Sequence, residues 1–499
     1  MKKIISIISA SVIVLALSTS CKEFLDINYD PNTPASENIS NDMIMPGVEM
    51  NLAVSYGDYL RIVGGYFCQH YAHQFGTSNY LDYSQFEQSA TRSSSTYQQL
   101  FQKVITNAKA MEDKAVAAGE WGTNLAAVTL KAFAYQALVD CYGEVPYTQA
   151  LNDQYLAPKY DDGQVVYEGL IAELDKALEK ASAGDKVATS FLFPNANASE
   201  WIKFANALKL KLLMRMADVK DVNKEVKAII DGGNLPTEDI AFQGCWDKAM
   251  GHESPFWGEE FSTLGGSTQI NVIANIAIIG TMKVEGYTDP RLEAFFEKNK
   301  SGQYEGGISG TNFSNASETY KTTDNWCRPV ASFDMPVYLI TVAETEFFIA
   351  EYYARTSNAS AAAEHYAKAI EASFASAGVE GAAEYVRKYP FDNANYKKSL
   401  GVAKWVALSG VNNFEAYCEL RRLRFPAFGS VKGSDMFNGS GDVKGDKYVA
   451  GTLYTPYLVF AQVGENKLLE RFPYAESSKT RNSNCPEFPG YTTPIFWAK

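Results

Sequence analysis

Residues that could perform chemistry are sparse in this chain, and their spacing argues against catalysis. Glu344 and Glu351 lie seven residues apart on a predicted helix and therefore share one face. A glycosidase needs two carboxyl groups opposed across a cleft, ~5–10 Å apart, so a solvated or interhelical face explains this pair better. The sequence has no G-x-S-x-G, phosphate-binding loop or H-E-x-x-H motif. We therefore expect no catalytic residue, no enzyme activity and no cofactor.

Metal-binding patterns are equally weak. Asp26-x-Asn28-x-Asp30-Pro31-Asn32-x4-Glu37 spaces its oxygen side chains like a calcium loop. Pro31, however, stands where that loop needs a glycine for its sharp turn. His70 and His73 could share a helix face, but no third ligand is evident, so a pair of partly packed histidines is the better interpretation. We predict a polar turn at the first pattern and no metal at either.

The cysteines beyond residue 21 do not form a motif. They are far apart, without C-x-x-C or zinc-type spacing, at Cys68, Cys141, Cys245, Cys327, Cys418 and Cys485. Some pairs could oxidise in an exported protein, but so few in so long a chain do not make a disulfide scaffold. Buried free thiols are expected at Cys141 and Cys418, which lie in helical patterns.

Three loop regions, residues 74–88, 246–257 and 304–333, combine aromatic rings with polar side chains. Sugars present apolar C–H faces ringed by hydroxyls, so a site for them needs flat aromatic platforms beside Asn, Asp, Gln or Arg. The alternative for each aromatic is packing against the scaffold. Tyr80, Tyr83 and Trp326 are the first choices. The candidate ligand-binding residues are Asn79, Tyr80, Asp82, Tyr83, Trp257, Tyr304, Asn325, Trp326 and Arg328.

The first twenty-one residues have the layout of a signal peptide followed by a cysteine. Two lysines precede an apolar run over residues 4–17, and Ser18-Thr19-Ser20 leads into Cys21. The run is shorter than the ~20 apolar residues that span a bilayer, as in a secretory signal. The arrangement resembles a bacterial lipobox, so we expect lipidation of Cys21. The predicted divisions are a signal peptide over 1–20, a lipid-anchored tether over 21–40 and a single domain over 41–499.

Composition describes a globular and acidic protein. The chain is 46% apolar and 13% aromatic and carries a formal charge of −13, and removing the signal peptide would make it more negative. An acidic body argues against nucleic acid as a ligand. No apolar run beyond the signal is long enough to cross a bilayer, so the expected membrane contact is the lipid anchor alone.

Helical periodicity dominates the segments between the loops. Paired helices are predicted at about 98–140, 164–218 and 395–422. A further pair follows tetratricopeptide spacing, with Ile349-Ala350-x2-Tyr353 and then Ala362-x3-Tyr366-x2-Ala369; a generic helical hairpin is its alternative. The loop-rich insertions are 64–97, 231–340 and 430–499. The prediction is a mostly α fold with degenerate helix pairs and long insertions carrying loops, short helices and a few hairpins.

Several separated segments, in order along nearly the whole chain, resemble the SusD/RagB-type outer-membrane nutrient-binding lipoproteins. These segments are Phe24–Asn32, Cys141–Tyr147, Ala205–Leu210, Asp289–Leu292, Glu344–Glu351, Lys404–Leu408 and Arg471–Tyr474. The resemblance implies four tetratricopeptide-like helix pairs and a looped ligand-binding side built largely from the first and third loop regions.

The same resemblance implies a location and a partner. It places the protein on the outer face of the cell outer membrane, with a SusC-like TonB-dependent transporter as the partner over which it sits as a hinged lid. The implied ligand is an extracellular oligosaccharide. A peptide ligand within the same family, or a lipid-anchored glycosidase, are the alternatives.

Overall fold

Four pairs of helices form the scaffold of the protein. The computed structural model describes residues 39–74, 79–194, 197–261, 271–311, 317–438 and 441–498; the predicted signal peptide, Cys21 and the calcium-like pattern lie outside these ranges. The helices are α1 (Asn41–Gly57), α2 (Tyr59–Phe67), α3 (Leu81–Ser84), α4 (Ala90–Gln98), α5 (Thr106–Ala118), α6 (Trp121–Tyr142), α7 (Gly163–Lys180), α8 (Ala198–Met216), α9 (Asn223–Gly232), α10 (Pro255–Glu260), α11 (Ile276–Met282), α12 (Leu292–Phe295), α13 (Glu318–Lys321), α14 (Val342–Arg355), α15 (Ala359–Ser376), α16 (Ala382–Lys388), α17 (Tyr396–Ala407), α18 (Asn413–Leu423) and α19 (Glu476–Arg481).

The strands are short and lie in the loop-rich parts. They are β1 (Tyr71–His73), β2 (Val145–Pro146), β3 (Tyr160–Asp161), β4 (Ile240–Phe242), β5 (Val272–Ala274), β6 (Lys283–Val284), β7 (Tyr287–Thr288), β8 (Phe296–Glu297), β9 (Arg328–Pro329) and β10 (Val337–Ile340). Over the described ranges they form five antiparallel two-stranded sheets: β1 with β5, β2 with β3, β4 with β10, β6 with β7, and β8 with β9.

The structure confirms the mostly helical fold and the predicted pairs. They are α5 with α6, α7 with α8, α14 with α15, and α17 with α18. In the α14–α15 pair, the small residues Ala350, Ala362 and Ala369 are fully buried, which lets the two helices approach closely. Phe347 and Tyr366 fill the remaining gap with ring centroids 6.2 Å apart. The 64–97 segment holds short helices, as predicted, and α4 continues beyond it through a π-helical turn, Gln99–Ile105, directly into α5.

Helix α6 is the centre of the core. Every residue from Gly122 to Tyr142 is buried, as expected of a helix surrounded by other elements. Close approach elsewhere depends on small residues: a Cβ on Gly64 of α2 would lie 2.6 Å from the backbone of Asn413. Helix α2 therefore packs directly against the start of α18.

Buried ion pairs connect the four helix pairs. Arg215 of α8 pairs with Asp140 of α6 and with Glu415 of α18, the latter at 2.5 Å. Lys211, one turn earlier on α8, bridges Glu344 at 2.7 Å and Glu415 at 3.2 Å. We call this set the core ion network; its members are Asp140, Lys211, Arg215, Glu344, Glu351, Lys404, Glu415, Glu419 and Arg422.

The carboxylates Glu344 and Glu351, considered above for catalysis, belong to this network. Arg422 binds Glu351 and Glu419, each at 2.6 Å. Glu344 and Glu351 are both buried, Glu344 completely, so the interhelical interpretation is correct for this pair and the solvated one is wrong. Burial favours a raised pKa at Glu419, but Arg422 and Lys404 outweigh it and hold that pKa well below its ordinary value.

The described residues contain no helix with the length and apolar character needed to cross a membrane.

Candidate functional site

Helix α10 presents aromatic side chains on the loop-rich side. It begins with Pro255 at its first position, where the missing N–H costs nothing. Trp257 and Phe261 lie four residues apart, so their rings meet on one face and stack with centroids 5.5 Å apart at 12°. Both are only partly buried. The neighbouring Phe256 is buried and stacks on Tyr71 at 6.1 Å, which anchors the helix.

Arg328 completes this aromatic surface from strand β9. Its guanidinium carbon lies 4.7 Å from the Phe261 ring centroid. Its Nε is buried without a hydrogen-bond partner among the described residues. Burial lowers the pKa of Arg328, while Glu297 and Glu260 oppose that effect. We call Trp257, Phe261 and Arg328 the aromatic ledge; it offers flat apolar surface beside a cation with donors to spare.

Tyr80 and Asn79 adjoin α10 from the first loop region. Tyr80 has a left-handed backbone, φ 63°, and its ring stacks on Tyr83 at 5.6 Å and 11°. Its hydroxyl hydrogen-bonds with Glu260, the last residue of α10. Asn79 Nδ2 donates to Asn271 Oδ1 at 3.3 Å, and Asn271 in turn bonds to Glu260. The first loop region and α10 are therefore held together by hydrogen bonds.

Tyr83 stacks on Tyr80, and both Asp82 and Tyr83 contact Arg92. Asp82 pairs with Arg92 at 2.8 Å, and the guanidinium of Arg92 lies 4.9 Å above the Tyr83 ring. Tyr83 is 2% exposed and Tyr80 is 8% exposed, so both rings mainly contact other side chains. Asn79 is exposed at the surface.

The remaining sequence-predicted residues lie apart from the ledge. Trp326 is 8% exposed, donates its indole N–H to the Tyr320 carbonyl at 2.8 Å and packs with Ala72 and Ile273. Tyr304 is half-buried beneath Lys298, whose ammonium lies 5.4 Å from the ring centroid. Asn325 ends a short 3-10 turn, and its carbonyl accepts from Asn299 Nδ2 at 3.0 Å. The structure places Asn79 and Tyr80 beside the end of α10, the helix that carries Trp257, and it places Arg328 against Phe261. Tyr304, Asn325 and Trp326 have other partners.

Sequence reasoning missed Glu260, Phe261 and Asn271. The predicted second loop region ends at Trp257, one helical turn before Phe261, the residue on which Trp257 stacks. The signal was present as Trp257-x3-Phe261, an aromatic pair at the spacing that aligns side chains on a helix. Glu260 and Asn271 gave no comparable signal, because their importance comes from burial beside Tyr80.

Histidines and cysteines do not form a metal site in the part of the chain that the structure describes. His70 and His73 are both buried, and they bond to different residues: Nδ1 of His70 faces Asn413 Oδ1 at 3.3 Å and Nδ1 of His73 faces Ser84 Oγ at 3.2 Å. The six cysteines of the described ranges are free thiols, and Cys141 and Cys418 are buried as predicted.

Glu260 makes stability depend on pH. Burial raises its pKa from 4.5 to about 7, with hydrogen bonds from Tyr80 and Asn271 opposing the rise. Between these values the folded state holds a proton that the unfolded state releases, so the free energy of unfolding falls as pH rises from about 4.5 to about 7 and then levels. Glu260→Gln removes this component. The free energy of unfolding of Glu260→Gln minus that of wild type should therefore rise by about 3 kcal/mol from about pH 4.5 to about pH 8. Urea unfolding at several pH values measures this difference.

The exposed Glu238→Gln is the matched control. It should follow the wild-type pH profile throughout. A constant difference between Glu260→Gln and wild type at all pH values would contradict the assignment.

Comparison with known proteins identifies the fold and the family. The family described as "Starch-binding associating with outer membrane" (SusD-like) matches residues 35–441. No curated protein matches the chain in sequence. Among solved structures, a SusD homologue from Bacteroides uniformis has a TM-score of 0.71 and 20% identity, covering 91% of this chain and 98% of its own.

Two further structures are named for chitin binding. One, a chitin-binding protein, has a TM-score of 0.71 and 19% identity, with 92% of this chain and 100% of its own covered. The other, a chitin-binding SusD homologue from Flavobacterium johnsoniae, has a TM-score of 0.68 and 19% identity, with coverages of 91% and 98%. The family match over most of the chain and these shared folds agree, and the protein belongs to the SusD-like family.

Proposed function

We propose that the protein is a non-catalytic surface lipoprotein that captures an extracellular oligosaccharide at the aromatic ledge. The observation that carries this proposal is the stacked, partly exposed pair Trp257 and Phe261 beside Arg328. A sugar ring can rest its C–H face on an indole, and its hydroxyls can accept hydrogen bonds from a guanidinium. Glu260 and Asn271 hold the helix in position behind the ledge.

The relatives suggest which oligosaccharides to try first. Two similar structures are named as chitin-binding, and the family description names starch. Titration calorimetry of the full-length protein in detergent with chitin hexasaccharide and with maltohexaose tests the proposal. Saturable binding of either sugar, without its cleavage, is the expected result. Cleavage of the sugar would contradict the non-catalytic assignment.

Binding of peptides is the second candidate ligand class. Backbone amides and carbonyls could use the same arginine and aromatic surface, and the ledge by itself does not distinguish them. A casein digest added to the same titration separates the two classes. Tight binding of peptides with no response to either sugar would replace the oligosaccharide with a peptide ligand.

The proposal includes attachment to the outer membrane and delivery to a SusC-like TonB-dependent transporter. Acyl chains on Cys21 would anchor the protein, since each buried methylene contributes ~0.8 kcal/mol, and residues 21–40 would form the tether. Co-purification of a large TonB-dependent β-barrel with the tagged full-length protein would support the partnership. Absence of such a barrel under mild detergent would count against it.

Replacing Cys21 with serine should release the protein from the membrane. Without the thiol there is no thioether-linked lipid. The Cys21→Ser protein should therefore either move from the membrane pellet to the soluble fraction or keep its signal peptide uncleaved. Cell fractionation with immunoblotting measures the shift. The variant Cys245→Ser, a partly buried thiol in the body, is the matched control and should stay in the pellet. Equal pelleting, with the signal peptide removed from both, would contradict lipidation at Cys21.

A further inference from the structure

A cavity of about 740 Å³ opens on the helical side of the protein, away from the ledge. Helices α16 and α17, strand β7 and residues 449–452 line it. None of the three ledge residues takes part. We call it the helical cleft. Its volume lies within the ~300–1,000 Å³ typical of small-molecule sites.

The helical cleft combines an apolar floor with an aromatic wall. Val402, Val406 and Phe428 are among the floor residues. Tyr287 and Tyr389 form the wall, with ring centroids 6.2 Å apart and the rings at 71°. The Tyr287 hydroxyl is buried without a hydrogen-bond partner among the described residues. A buried unpaired hydroxyl costs stability, so a bound ligand that supplies a partner would offset that cost.

One unpaired cation, Lys388, lies over this wall, and a second, Lys398, lines the cleft. The Lys388 ammonium lies 5.2 Å from the Tyr287 ring centroid and 5.8 Å from that of Tyr389. Lys388 and Lys398 both line the cleft, and neither forms an ion pair within the described ranges. Asp289, by contrast, is neutralised by Arg291 at 2.6 Å. The carboxylate without a cationic partner here is Asp392, which accepts from Asn395 Nδ2 at 2.7 Å.

This balance of charge is unusual for the molecule. The whole chain carries −13, yet the helical cleft exposes two free ammonium groups against one unpaired carboxylate. Free cations beside aromatic faces suit a ligand that carries both an anionic group and an apolar ring face. A purely neutral sugar would leave the lysines unused, and a phosphate alone would leave the tyrosines unused.

We propose that the helical cleft binds a short segment of an acidic oligosaccharide, a chain of hexuronate sugars. The ring carboxylates would bind Lys388 and Lys398, and a sugar face would rest on Tyr389. The Tyr287 hydroxyl and Asn395 would bond to sugar hydroxyls. This second site is independent of the ledge and of the function proposed there.

Calorimetry of the full-length protein with tetragalacturonate, and with cellotetraose as the neutral counterpart, tests the proposal. Tetragalacturonate should bind and cellotetraose should bind at least about tenfold more weakly. The double variant Lys388→Met/Lys398→Met should weaken tetragalacturonate binding about tenfold. The control double variant Lys176→Met/Lys224→Met changes two exposed lysines elsewhere and should bind like wild type. Because all four lysines are exposed, folding should be unaffected; thermal melting checks this.

The outcomes separate the two sites. Trp257→Ala should leave tetragalacturonate binding unchanged, whatever it does to chitin hexasaccharide. Loss of tetragalacturonate binding in Trp257→Ala would assign that ligand to the ledge and overturn the second site. Absence of tetragalacturonate binding, unchanged binding in Lys388→Met/Lys398→Met, or equally tight binding of a tetraglutamate peptide would also overturn it.

Discussion

Asp140→Ala should lower the free energy of unfolding by about 3–5 kcal/mol, the cost of removing one partner from a buried ion pair. The Asp140 carboxylate is completely buried. It accepts hydrogen bonds from Arg215 and Gln136, from the Tyr167 hydroxyl at 2.5 Å and from the Trp497 indole at 2.9 Å. The alanine variant leaves these donors without that acceptor in a site closed to water. Urea unfolding followed by circular dichroism measures the loss.

Asp175→Ala is the matched control. Its carboxylate pairs with Lys209 at the surface, where its side chain is 50% exposed, so its removal should cost less than about 1 kcal/mol. Asp140→Asn keeps the shape and loses the charge, and should fall between the two. Equal losses in Asp140→Ala and Asp175→Ala would show that the core ion network does not stabilise the fold as we describe.

Trp257→Ala should weaken binding of chitin hexasaccharide at least about tenfold, equivalent to about 1.4 kcal/mol. The indole supplies the largest flat surface of the ledge, and stacking area is lost with it. The side chain is partly exposed, so its removal should change stability little. Calorimetry at constant salt measures the affinity, and thermal melting verifies folding.

Two other tryptophans provide controls of different kinds. Trp246 is half-buried in the same loop region, and its indole N–H donates to the Phe242 carbonyl at 3.3 Å. The Trp246→Ala protein should bind chitin hexasaccharide like wild type. Trp326→Ala should reduce stability, because that ring is buried against Tyr320 at 4.7 Å. Unchanged affinity in Trp257→Ala, combined with lost affinity in a folded Trp326→Ala, would move the site to the third loop region.

The helix pairs could be predicted from the sequence because their information is local. A stripe of apolar residues at helical spacing, such as Leu130, Phe133 and Ala134, marks a helix whatever surrounds it. Small residues such as Ala350 and Ala362 indicate close packing in the same way. Helices α14 and α15 therefore appear where the pattern predicts them.

The candidate site could be predicted only in part, because burial is decided by distant residues. Trp257 and Trp326 are both tryptophans in loop-rich sequence, yet one is half-buried on α10 and the other is enclosed by Tyr320, Ala72 and Ile273. No local pattern distinguishes them. The same holds for Glu344, whose partner Lys211 lies on another helix pair.

The core ion network also has a consequence for how this protein unfolds. Stacked repeats that touch only their neighbours unfold piecewise, from the ends inward. Here Asp140, Arg215, Glu351 and Arg422 come from four different pairs. If one pair detached, a buried charge in another pair would lose its ionic partner. Detachment of any one pair is therefore unfavourable, and the four pairs should unfold together as one cooperative unit.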